Sequence, residues 1–133
     1  MFEFEKLNVF GKAVDLSGDI SKFVDAHDFE EAAGKQLTSA ANQTVVELAR
    51  ASAQINFEEK KKHYTNARAR IHELAAMLIL INQAVKLPET EFKTRYNQLT
   101  RLSIMLYKLV QNSKPFVVDA ESNAVPEPSL ADQ

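Results

Sequence analysis

The sequence predicts an all-α protein: an antiparallel up-down-up-down four-helix bundle with a flexible C-terminal tail. Three observations lead there. Apolar residues recur at heptad spacing in four successive segments, most clearly at Phe57, Tyr64, Ile71, Leu78 and Val85, with Ala67, Leu74 and Ile81 between them. Residues three and four apart share a helix face, so this ladder makes a continuous apolar seam about eight turns long. Helix breakers are scarce before the tail: the chain has three glycines and four prolines, and Pro115, Pro126 and Pro128 all fall beyond residue 114. The segments between the seams are short, which makes consecutive helices antiparallel neighbours.

The elements follow in order. Residues 1–7 form a lead-in whose Phe2, Phe4 and Leu7 are expected to cover one end of the bundle. Helix one is predicted from about Asn8 to Ala26, with Phe10, Ala13, Val14, Ser17, Ile20 and Val24 inward, and Asp25-Ala26-His27-Asp28 as the connection. Helix two is predicted from about Phe29 to Ile55, with Leu37, Ala41, Thr44, Leu48 and Ile55 on the seam. Its many alanines favour helix and permit close approach of a neighbour. Asn56 then reads as an N-cap, with Glu58 and Glu59 complementing the helix dipole and Glu59 placed to complete a capping box. Helix three is predicted from Phe57 to about Lys86. Leu87-Pro88 breaks the chain, with Pro88 in the first turn of helix four. That helix carries Phe92, Tyr96, Leu99, Leu102, Leu106 and Leu109 inward and ends near Asn112. Residues 1–114 are therefore one bundle domain and 115–133 an acidic, Pro-containing tail.

Composition bounds the function. With 133 residues, 45% apolar and 26% charged, the chain is long enough to bury a core of its own. It has no cysteine and so no disulfide, which fits a reducing compartment. The start, Met1-Phe2-Glu3-Phe4-Glu5-Lys6, has neither the basic nor the apolar region of a secretory signal. The longest uninterrupted apolar run, Leu74 to Ile81, is too short to span a bilayer. A cytoplasmic protein with no membrane partner is expected. Charge is unevenly spread: net −5 over residues 1–34, +7 over 35–114 and −4 over 115–133.

Catalytic patterns are missing. No Glu-x-x-His occurs, as a di-iron bundle would require. His72-Glu73 opens like a zinc-protease motif but continues Leu74-Ala75-Ala76. No arginine precedes a histidine by the five to seven positions that helical ribonucleases use, and no glycine-rich phosphate loop is present. His27, His63 and His72 read as loop or surface residues. The expectation is no enzyme, no catalytic residue, no metal site, no cofactor and no small-molecule substrate.

Two surfaces carry what function the sequence shows. Lys60, Lys61 and Lys62, with Arg68 and Arg70, are the candidate nucleic-acid contacts; Lys61 shares a face with Arg68 and His63 with Arg70. Contacts of this kind are weak, salt-sensitive and nearly blind to sequence. The second surface is surplus apolar area. Met77, Ile79 and Leu80 lie off the seam of helix three, and Ile104, Met105 and Tyr107 beside that of helix four. These six are the candidate interface between copies, since contiguous exposed patches of this kind mark partner sites. A ring in which the acidic first helix meets the basic helices of the next copy is the favoured arrangement. The alternative is a protein–protein module with no nucleic-acid role.

The chain resembles the 23S ribosomal RNA intervening-sequence proteins, a group of four-helix bundle proteins, over about residues 4–112. The resemblance rests on Phe4-x-x-Leu7-x-Val9-x-x-x-Ala13, Gln36-Leu37-x-x-Ala40-Ala41 and Ala67-x-x-x-Ile71-x-Glu73-Leu74, with the apolar-Pro break before the last helix. It implies an antiparallel bundle assembled as a homopentameric ring. The chain is also similar to the accessory variability protein of diversity-generating retroelements, which implies nucleic acid or a reverse transcriptase as a partner. It departs from the group's pattern where Thr38-Ser39 replaces the usual basic pair, and where the usual Asn-Ile-Ala-Glu-Gly reads Glu47-Leu48-Ala49-Arg50-Ala51. Those departures leave helices three and four as the basic surfaces.

Overall fold

A computed structural model describes residues 1–112 and, for the backbone alone, 117–118 and 124–125. The expected flexible tail lies mostly outside the described residues; within it, Val117–Val118 pairs antiparallel with Ala124–Val125. Four long helices make up the rest: α1 (Asn8–Ala26), α2 (Glu31–Ala53), α3 (Phe57–Val85) and α4 (Glu89–Asn112), preceded by a 3-10 turn over Glu3–Lys6. The all-α four-helix class predicted from the heptads is what the structure shows.

Interhelical contacts give the directions. Glu47 on α2 meets His63 on α3, and Gln36 meets Glu73, so the two helices run oppositely. Arg68 opposes Tyr107, and His72 opposes Ser103, across α3 and α4. On the remaining side Asp19 pairs with Gln98, Phe23 packs under Arg95 and His27 meets Glu91, again antiparallel. Ser17 donates to Asn42 between α1 and α2.

Local chemistry sets the helix ends. The Asn56 side chain accepts from the Glu58 and Glu59 amides at 2.8 and 3.3 Å, capping α3 as expected. At the other end Lys86 adopts the left-handed conformation, φ 49°, and donates to the Asn82 carbonyl at 2.9 Å. The Leu87 amide donates to the Asn82 side chain, also at 2.9 Å, so one asparagine satisfies the break. Pro88 sits just before α4 rather than inside its first turn, and its carbonyl accepts from the Phe92 amide.

The seams differ from expectation in instructive places. On α1 the fully buried residues are Val9, Ala13, Leu16, Ile20 and Phe23, while the expected Val14 is 44% exposed. The buried stripe is turned by roughly 70° from the predicted one at about 100° per residue. Leu16 and Phe23 offer more apolar area than Val14 and Ser17, so they take the centre and Phe10 and Val24 pack at its edge. Helix α2 starts at Glu31 instead of Phe29, because the Phe29 ring packs against Phe23 and His27 at 5.2 and 5.1 Å. Ile55, expected on the seam, falls after α2 ends and is fully exposed; Val85 is exposed as α3 runs out.

The alanine-rich character of α2 is used as expected. Gly34, Ala40, Ala41 and Ala51 are buried, and a methyl group on Gly34 would meet Val24 Cγ1 at 3.0 Å. Thr44 is buried on the same seam, with its hydroxyl satisfied by the Ala40 carbonyl at 2.9 Å.

Candidate functional site

The exposed side of α3 and α4 is the strongest candidate surface, because the packing that buries Leu74, Leu78, Leu102 and Leu106 leaves their apolar neighbours outside. Ile79, Leu80, Ile104 and Tyr107 are 50%, 68%, 52% and 45% exposed, and Tyr96, expected on the seam, joins them at 41%. Ile79, Tyr96 and Ile104 border a groove of about 370 Å³ whose floor is made partly of the small residues Ala75, Ala76, Thr100 and Ser103.

Two of the six candidate interface residues point elsewhere. Met105 is buried, at 7% exposure, and belongs to the core: it lies one turn before Leu109 and beside Leu106, where a flexible thioether fills the gap. Met77 is half-buried against the same core. The apolar strip is therefore Ile79, Leu80, Ile104 and Tyr107 with Tyr96 added, and the methionines are not part of it.

The five candidate nucleic-acid contacts do not form one surface. Lys61 and Lys62 are exposed around a shallow hollow shared with Glu58, Thr65 and Asn66, and Lys60 is half-buried. The Arg68 guanidinium lies 5.3 Å from the centre of the Tyr107 ring, on the α4 side. Arg70 turns the other way and pairs with Glu73 at 3.1 Å, whose second oxygen accepts from Gln36 of α2 at 3.2 Å. The arginines thus serve opposite flanks of α3.

His27 lies in the α1–α2 connection and His72 is exposed, as expected, but His27 and His63 each make a close contact to another helix. His27 stacks on Phe29 and lies 2.6 Å from Glu91, joining the end of α1 to α4. His63 lies 2.6 Å from Glu47, joining α3 to α2. Glu47 is a buried carboxylate that also accepts from Arg50 at 3.1 Å and Asn66 at 3.5 Å. Burial raises its pKa, but the hydrogen bonds from His63, Asn66 and Arg50 outweigh that and hold it below the usual 4.5. Sequence reasoning missed this cluster; its only signal was the Glu47–Arg50 spacing, which many solvated helix faces share. Among the described residues no group of three His, Cys, Asp or Glu side chains is placed to hold a metal ion. No described helix is long and apolar enough to cross a membrane.

The fold is a four-helix bundle with large apolar side chains left exposed on α3 and α4. No protein-family model and no curated protein matches the chain. Among solved structures it is similar to a protein of unknown function from the S23 ribosomal protein family of Bacteroides thetaiotaomicron. The TM-score is 0.71 over 77% of this chain and 95% of that one, at 13% identity. Such a likeness shows a shared fold, in keeping with the intervening-sequence resemblance read from the motifs.

Proposed function

We propose that the protein is a non-enzymatic scaffold that assembles with copies of itself through the apolar strip of α3 and α4. The observation that carries this is the exposure of Ile79, Leu80, Tyr96, Ile104 and Tyr107 on α3 and α4, with Ile79, Tyr96 and Ile104 bordering one groove. A chain with a complete core of its own has no folding reason to leave five large apolar side chains there. The acidic first quarter of the sequence supplies a complementary surface for the basic α3–α4 layer of the next copy, which favours a head-to-tail ring. Light scattering tests the proposal. The wild-type chain should run as an oligomer, and Leu80→Glu combined with Ile104→Glu should run as a folded monomer by circular dichroism. A monomeric wild-type protein would remove the proposal.

A further inference from the structure

We propose a binding site for a phosphoryl group at the end of the α3–α4 groove nearest the start of α3, where His72 and Ser103 line the groove, Arg68 lies one turn beyond His72, and Lys61 stands two turns further out on the same face as an outer cation. The antiparallel register brings these residues together. Arg68 and His72 are four apart on one face of α3, Ser103 and Tyr107 four apart on one face of α4. Arg68 lies over Tyr107, and His72 Nε2 is 3.1 Å from Ser103 Oγ.

The electrostatics point to an anion. Helix α4 has no acidic residue after Glu91, and α3 has only Glu73 after its first turn. Glu73 is held on the far flank by Arg70 and Gln36. Arg68 makes no ion pair with any described residue, and its buried Nε has no hydrogen-bond partner. A half-buried guanidinium without a counter-charge is costly, and its planar fork of donors matches the oxygens of a phosphate. In the tautomer with a proton on Nε2, His72 donates to Ser103 and leaves the serine hydroxyl proton free for a ligand oxygen. Donors from two facing helices suit a tetrahedral anion better than a planar carboxylate. The groove of about 370 Å³, with Ile79, Tyr96 and Ile104 beyond the polar end, has room for the organic part of a phosphate ester.

The site shares Ile79, Tyr96 and Ile104 with the self-association reading, so it is tested on the full-length chain with assembly followed separately. Isothermal titration is run with inorganic phosphate, with a mononucleotide and with a short single-stranded oligonucleotide. Arg68→Gln and Ser103→Ala should each weaken binding, the first by about tenfold or more. Arg70→Gln, already spent on Glu73, should change it by less than about twofold. Light scattering of each variant should match wild type, so that lost binding is not lost assembly. Binding of the mononucleotide as tightly as the oligonucleotide assigns the site to a free phosphate ester; binding of the oligonucleotide alone, abolished by Arg68→Gln, assigns it to a phosphodiester backbone. No binding of any probe, or equal losses from Arg68→Gln and Arg70→Gln, overturns the proposal.

Discussion

Glu47 offers the sharpest test of how this bundle is held. Replacing it with glutamine keeps the side-chain shape but removes the charge that His63, Arg50 and Asn66 all address. Arg50 is largely exposed and contributes little, so the cost comes chiefly from the short, part-buried contact to His63. A hydrogen bond of this charge-assisted kind is worth about 2 kcal/mol, which for a folded unit of this length lowers Tm by about 8 °C. The pH dependence has a definite sign. The folded-state pKa of Glu47 lies below its ordinary 4.5, so the folded state favours the charged form. Its contribution is therefore complete above the unfolded pKa and lost as pH falls through the lower folded value. Urea unfolding followed by circular dichroism from acid to neutral pH should show the two proteins converging at low pH, with their difference complete above about pH 5. Repeating the series in a His63→Gln background should remove most of the difference. Equal stability of wild type and Glu47→Gln at pH 7, with superimposable acid limbs, would refute the reasoning.

The core and the glycines give three further tests. Leu16→Ala should cost about 2–5 kcal/mol in chemical denaturation, whereas Val14→Ala should stay within about 0.5 kcal/mol, since the former is wholly buried and the latter nearly half exposed. Similar costs at the two sites would put the α1 stripe where the heptad reading first placed it. Gly11→Ala and Gly18→Ala should each stabilise by about 0.5–1 kcal/mol, because nothing lies within 4 Å of the added methyl and each sits inside α1. Gly34→Leu should instead destabilise, by forcing α2 away from Val24, and a Tm unchanged by that substitution would contradict the close approach.

The sequence by itself determined the class of fold, the number of helices and most of their ends. Heptad spacing, an Asn cap and a Leu-Pro break are local signals, and the chemistry that places them acts within a turn or two of helix. It also marked Ile79, Leu80, Ile104 and Tyr107 as apolar surplus, since a single seam has room for only part of a helix's circumference. Tertiary structure alone decided which stripe of α1 turns inward, because Leu16 and Phe23 outcompete Val14 only once α2 and α4 supply the space they fill. It decided that Met105 belongs to the core, that Arg68 and Arg70 serve opposite neighbours, and that Glu47 meets His63. Each of these depends on which helix lies alongside and in what register. Periodicity reports that a face is apolar or charged, but the partner opposite it exists only in the packed bundle.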